Sequence, residues 1–268
     1  MKKHHFIITS AIGLLTFIMI FSILSFDKIS GNGYNFAQPS VQLDLPDTLR
    51  EISGIAFIDK STLACVQDEN GILFLYDINE NDIVTQQEFH LDGDYEGIAR
   101  AGSTVYVLRS DGMLFGIREY RSGKPEVDSI PTHIPVDNSE GLCYDAEHNR
   151  LLIACKNKLK SAGNKRNTRF IYAFDLQSKT CSEEPVFTID LDDLKTFARM
   201  NDIDLPERVK KNGDETGVPV LKFRPSEIAI HPITKRLYML SAVDHALFIF
   251  SPGGKPVHIE LLDPELFN

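Results

Sequence analysis

The chain carries none of the compact fingerprints that announce common enzyme chemistry. It has no GxSxG elbow, no P-loop and no dinucleotide-binding glycine pattern, so serine-hydrolase and nucleotide-handling mechanisms have no foothold in the sequence. Its eight histidines include no HxH or HExxH pair, the spacings that build zinc centres. His231 beside Pro232 and His245 beside Asp244 read as surface residues. Cysteine is scarce: Cys65, Cys143, Cys155 and Cys181, with no CxxC pair. The first three fall inside apolar, strand-like runs, where a free thiol behaves as a small hydrophobe. One disulfide stays open if the domain lies outside the cytoplasm. Basic charge is short as well. With 28 Lys and Arg against 38 Asp and Glu, the net charge is −10, which argues against a nucleic-acid partner and is compatible with binding cations.

What the sequence does have is a repeated phrase. It reads Ile52-Ser53-Gly54-Ile55-Ala56, then Tyr95-Glu96-Gly97-Ile98-Ala99, then Ser139-Glu140-Gly141-Leu142-Cys143, then Ser226-Glu227-Ile228-Ala229. Aligned on the glycine, and on Ile228 in the last copy, the spacings are 43, 44 and 87 residues. A period of about 40–45 residues is what one four-stranded propeller blade requires, and 87 is close to two such steps. Each copy sets a hydroxyl or acidic side chain just before a short apolar strand. Rotation about one axis would gather those side chains.

The N-terminus differs from the rest. Met1-Lys2-Lys3 precedes an uncharged run from Phe6 to Phe26, 21 residues long, close to the ~20 residues of one membrane span. Ser22-Ile23-Leu24-Ser25 is a poor cleavage site, and no cysteine near the end of the run supports a lipoprotein anchor. Residues 1–26 are therefore expected to be a transmembrane anchor or signal segment, with length favouring an uncleaved anchor. The leading lysines keep the N-terminus cytoplasmic and send the rest across the plasma (inner) membrane. Residues 27–40, rich in Gly, Ser and Asn, read as a linker.

Residues 41–268 read as the propeller domain, opening with a half-buried strand at Val41–Leu45. Four strands follow in each repeat. In the first they are 54–58, 62–67, 72–78 and 83–91, with Asn70-Gly71 as a hairpin turn. In the second they are 97–101, 104–110, 113–120 and 127–135, with Asp111-Gly112 at the matching place. Turn chemistry and hydrophobic pattern agree independently. The third repeat has strands at 142–145, 150–156, 169–176 and 185–191. Its loop carries Lys158, Lys160, Lys165 and Arg166, read as a solvated excursion or, more sharply, an anion-binding rim. An insertion at 192–222 breaks the period. Leu194, Phe197, Ala198 and Ile203 predict a helix there, and loop follows. The fourth repeat has strands at 227–231, 236–242, 246–251 and 257–262.

The phrases Glu51-Ile52-Ser53-Gly54-Ile55-Ala56, Asp94-Tyr95-Glu96-Gly97-Ile98-Ala99 and Ser139-Glu140-Gly141-Leu142-Cys143-Tyr144-Asp145, with Asp68-Glu69-Asn70-Gly71, resemble the SdiA-regulated (YjiK/CarP-like) family of bacterial proteins. The resemblance covers about residues 40–268. It implies an all-β, five-bladed β-propeller distantly related to NHL-repeat propellers, membrane-anchored, periplasmic and holding calcium, with a link to calcium homeostasis and a suggested phytase-like role. The chain departs from the pattern in showing four blades, and the expectation is that a C-terminal blade is missing or incomplete.

Calcium takes six to eight oxygen ligands. The repeat puts Glu96, Glu140 and Glu227 at equivalent places, with Ser53 in the first blade. Gathered carboxylates repel one another unless a cation neutralises them or one keeps a proton. These three glutamates are the candidate calcium ligands. The plainer alternative is that they bond backbone N–H groups of neighbouring blades. Asp68 and Asp111 read as turn aspartates that bond their own backbone. No residue is singled out as catalytic. The expected function is an extracytoplasmic calcium-binding or scaffold module with an unknown protein partner. The alternatives are a calcium-dependent phosphoesterase or lactonase, and an interaction platform built on the insertion.

Overall fold

The structure, a computed structural model, describes residues 34–36, 40–135, 138–156, 167–209 and 215–265. The chain divides into two units, Met1–Ser40 and Val41–Asn268. The expected membrane span, most of the expected linker and the basic side chains of the third repeat's loop lie outside the described residues. Among the described residues no helix is long and apolar enough to cross a membrane.

The second unit is an all-β propeller of four blades. Blade 1 contains β1 (Ile52–Phe57), β2 (Thr62–Gln67), β3 (Ile72–Asp77) and β4 (Asp82–Glu88). Blade 2 contains β5 (Tyr95–Ala101), β6 (Thr104–Arg109), β7 (Met113–Arg118) and β8 (Glu126–Pro131). Both are antiparallel meanders in chain order. Blade 3 has β9 (Ser139–Asp145), β10 (Arg150–Cys155) and β11 (Thr168–Asp175), whose far edge pairs with the short β12 (Thr180–Cys181) and with β13 (Phe187–Asp190). The single outer strand expected at 185–191 is thus two pieces. Blade 4 is β16 (Glu227–Ile230), β17 (Leu237–Ser241), β18 (Ala246–Phe250) and β19 (Pro256–Leu261).

Between blades 3 and 4 the insertion forms α1 (Leu191–Met200) and a hairpin of β14 (Glu207–Val209) and β15 (Glu215–Pro219). The helix was legible from the apolar spacing of Leu194, Phe197 and Ala198, but it ends at Met200 and leaves Ile203 outside it. Asp190 caps it, its side chain accepting from Asp192 N at 2.8 Å, and Leu191, Leu194 and Ala198 are its buried stripe. The hairpin departs from the loop expected there. Residues 41–45 also depart from expectation. They form no strand, and Val41, Leu43 and Leu45 are exposed. Alternation supplied the pattern, but no sheet edge pairs with the segment.

Most of the core lies at the blade junctions, with smaller clusters on single blades around Phe74 and Tyr76 and around Phe170 and Tyr172. Blades 1 and 2 share a cluster including Ala56, Val66, Leu75, Ile98, Val107 and Phe115. Blades 2 and 3 share Ala99, Leu108, Leu142, Leu151 and Ile153. Blades 3 and 4, with α1, share Cys143, Leu152, Leu194, Ile228, Met239 and Phe248. All four cysteines carry free thiols.

The repeated phrase makes these junctions. In blades 1 to 3 the ladder between the first two strands skips one residue: Ser53, Glu96 or Glu140. Each is the extra residue of a β-bulge, a device that re-aims a side chain. The glycine that follows receives the next blade. A Cβ on Gly54 would lie 2.9 Å from Ile98 Cγ2, one on Gly97 2.6 Å from the Glu140 carbonyl oxygen, and one on Gly141 2.9 Å from Ile228 N. Blade 4 has no bulge between its first two strands; Glu227, Ile228 and Ala229 pair in unbroken register with Leu240, Met239 and Tyr238. Ile228 therefore does not stand in for the glycine. It takes the place of Ile98 and Leu142, seated on the glycine of the preceding blade, and the fourth copy of the phrase is one residue shorter.

Candidate functional site

Three bulges, at Ser53, Glu96 and Glu140, and the start of β16, at Glu227, bring the four expected side chains to one place. A cavity of about 420 Å³ is lined by Ile52, Ser53, Glu96, Glu140, Ser226 and Glu227, among others, so all four blades contribute to it. The sequence period brings Ser53, Glu96 and Glu140 together because rotation about a common axis repeats the bulge position, and Glu227 lines the same cavity from a strand with no bulge there.

Their environments differ. Ser53 Oγ donates to the Tyr95 carbonyl at 2.6 Å and so ties blade 1 to blade 2. Glu227 Oε1 accepts from Ile228 N at 2.7 Å and, weakly, from Leu142 N of blade 3 at 3.4 Å. This is the backbone-bonding role that competes with metal binding. The cavity reaches Glu227, yet protein surrounds its carboxyl, and loss of hydration pushes its pKa up to about 8 against those two N–H bonds. Glu140 is 3% exposed. Lys156 Nζ lies 2.7 Å from its Oε1 as an ion pair, and no hydrogen-bond donor is aligned on that oxygen among the described residues. Burial raises the Glu140 pKa, with Lys156 pulling the other way. Glu96 is pushed up to about 7, first by burial and then by the negative charges of Glu140 and Asp94.

Asp94, whose negative charge acts on Glu96 and Glu140, escaped selection as a candidate. It stands in the quoted phrase two residues before Glu96, but only one copy of the phrase carries it, so the repeat did not single it out. The two turn aspartates part company. Asp111 behaves as expected, with Oδ1 accepting from Met113 N at 3.1 Å and from Arg109 Nε at 3.0 Å. Asp68 Oδ1 is buried without a hydrogen-bond partner among the described residues, and the Asp68 carbonyl accepts from Tyr95 N at 2.8 Å beside the phrase of blade 2.

The donor set is the oxygen-rich kind that calcium uses. Its spacing is not that of a closed coordination shell. Among the described residues no group of three or more His, Cys, Asp or Glu is placed to hold a metal ion, and an ammonium already sits on Glu140. What the cavity offers is a set of neighbouring carboxylates, two of which, Glu96 and Glu227, are pushed up to about 7 and about 8, chiefly by burial.

No protein-family model matches the chain, and no curated protein matches it. Solved structures do. A chain of hydrazine synthase from Kuenenia stuttgartiensis aligns at 13% identity and a TM-score of 0.44, over 85% of this chain and 53% of that one. A chain of the mitotic checkpoint complex aligns at 13% and 0.41, over 78% and 51%. A chain of the nidogen/laminin complex aligns at 14% and 0.47, over 79% and 65%. The chain thus spans between half and two thirds of the length of these chains.

Proposed function

We propose that this chain is a membrane-anchored propeller of the SdiA-regulated family that works in the periplasm as a cation-responsive binding or scaffold module, with calcium as the ion. The observation that supports it most is the convergence of Glu96, Glu140 and Glu227 on one cavity, where burial and then the negative charges of Glu140 and Asp94 hold Glu96 at a raised pKa. A divalent cation would relieve that repulsion. Lys156 now does part of this work at Glu140, so calcium has to compete with an internal ammonium. The test is a thermal melt of the full chain with calcium and with chelator, since a ligand that binds only the folded state raises the melting temperature. Calcium is expected to stabilise the wild type and to stabilise Lys156→Met more strongly. Glu96→Gln with Glu140→Gln should abolish the response. Indifference to calcium in both the wild type and Lys156→Met would overturn the reading.

A second reading, a calcium-dependent hydrolase of phosphate esters or lactones, draws support from Glu96 alone. A carboxyl with a pKa of about 7 can both take and give a proton at neutral pH, as general acid–base chemistry requires. Turnover of a phosphate-ester and lactone panel that disappears in Glu96→Gln would favour it. A wild-type protein that binds calcium and turns over nothing would leave the binding module standing alone.

A further inference from the structure

The axial cavity lies at one end of the inner strands, and the junctions differ at the other end. Between blades 1 and 2 the charges there satisfy one another. Arg121 Nη2 donates to Asp59 Oδ2 at 2.6 Å, and Arg100 Nη1 donates to the Ile58 carbonyl at 2.7 Å. At the junction of blades 3 and 4 the pairing differs. Asp145, 7% exposed, serves its own blade: its Oδ2 accepts from Arg150 Nε at 2.9 Å and lies 2.8 Å from His148 Nδ1. The Nη end of Arg150 has no hydrogen-bond partner among the described residues, and Lys235, on the turn between β16 and β17, has no ion-pair partner among them.

These groups border a cleft of about 230 Å³. Its walls are apolar, with Leu152 and Phe187 from blade 3 and Ile230 and Leu237 from blade 4. Asp145 takes Arg150 through Nε and His148 through Nδ1. The guanidinium fork therefore remains available, and His148 adds an Nε2–H in its charged form. Glu147, exposed on the turn, is the other carboxylate on the lining. An apolar slot with one fork and one ammonium at its polar side is complementary to a carboxylate on a hydrophobic body, because the planar fork matches the two carboxylate oxygens. The volume falls below the ~300–1,000 Å³ of pockets for drug-sized ligands, which limits the occupant to one ring or a short branched chain.

We propose that the cleft between blades 3 and 4 binds a small organic carboxylate, its anionic end held by Arg150 and Lys235 and its apolar body laid against Phe187 and Leu237. The site is separate from the axial cavity and does not depend on the calcium reading.

The test titrates the full chain with 3-phenylpropionate, 3-phenylpropionamide and inorganic phosphate. Binding is followed by calorimetry and by the imidazole proton resonances of His148, assigned by their loss in His148→Gln. Saturable binding of the carboxylate that moves those resonances is expected, with no saturation by the amide or by phosphate. Lys235→Gln, on an exposed turn, should weaken the carboxylate about tenfold, as loss of one charge-assisted contact would. Arg150→Lys, which keeps the charge and loses the fork, should weaken it by a similar factor, and Lys235→Gln should leave the melting temperature unchanged. Equal affinity for acid and amide would overturn the proposal. So would binding of phosphate alone, no saturable binding by a chain that melts normally, or a Lys235→Gln variant that binds as the wild type does.

Discussion

Ile98 and Ile55 follow the same glycine in two copies of one phrase, yet Ile98 is 2% exposed and Ile55 is 48% exposed. Ile98 is seated on Gly54 of the blade before it. No described blade packs on the corresponding face of blade 1, where Phe57 is exposed as well, at 66%. Blade 4 shows the converse. Ile228 is buried on Gly141, while Ala229, on its other face, is exposed. At these first-strand positions burial therefore follows the blade that abuts them, which is the nearest-neighbour behaviour expected of repeat proteins. Cys65, Phe74 and Tyr76, on the same face of blade 1 as Ile55, are instead buried in a cluster with Leu49 and no second blade.

The largest effect expected from this comparison is at the junction glycines. Gly97→Val would drive a side chain into the Glu140 carbonyl and the Leu142 side chain, and backbone cannot yield as a flexible side chain does. Denaturant unfolding should show a loss of about 3 kcal/mol or more, or no folded protein. Ala229→Val adds the same kind of bulk to the first strand of blade 4 on its exposed face, and should stay within about 0.5 kcal/mol of wild type. Equal sensitivity at the two sites would break the comparison.

Next in size is the knob that fills the glycine's hole. Ile98→Ala empties a buried site and should cost about 2–5 kcal/mol. Ile55→Ala, in the same phrase, should cost well under half of that. A large loss at Ile55 would mean that its face is covered in solution by something the described residues do not include.

The repeat was legible because a propeller writes its symmetry into the sequence. Turn chemistry at Asp111-Gly112, where Gly112 takes a φ of 86°, and the spacing of the phrase gave the blades, whereas Asn70-Gly71 takes no positive φ and Gly71 instead admits the His90 backbone. What the sequence hid was the third dimension of the phrase. The bulge at Ser53, Glu96 and Glu140 leaves no mark in hydrophobic periodicity, so the missing residue in the fourth copy looked like a substitution of glycine by Ile228. The partners of the glutamates were hidden too. Lys156 is 16 residues from Glu140 and belongs to no motif, and Glu227 reaches Leu142 N across 85 residues. The strand expected at 41–45 failed for the reason that alternation describes a face and not a partner.

The raised carboxylates give the comparison a pH axis. Glu96 and Glu227 are pushed up to about 7 and about 8 from an ordinary value of 4.5. Between 4.5 and those values the folded chain holds more protons than the unfolded chain, so stability falls as pH rises through that window. The melting temperature should decline from about pH 5 to about pH 8, and Glu96→Gln and Glu227→Gln should each flatten part of the decline. Saturating calcium, under the proposed function, should flatten it in the wild type as well. A profile that rises over this range and is unaltered by either substitution would remove the axial glutamates as the pH-sensitive element.

The smallest effect separates the two kinds of ion pair in the fold. Arg121 and Asp59 join blades 1 and 2 at 2.6 Å with both side chains about half exposed, whereas Lys156 meets a Glu140 side chain only 4% exposed at 2.7 Å. Distance alone would rank them together. Exposed charges are already well solvated and are screened by salt, so Arg121→Gln should leave the melting temperature unchanged within the error of the measurement, at low salt and at high. Lys156→Met instead strands a buried carboxylate, and its cost should grow as the pH rises and Glu140 is forced to ionise alone. If Arg121→Gln proved the more damaging of the two, the junctions would be held by their rims and not by the packed phrase at the axis.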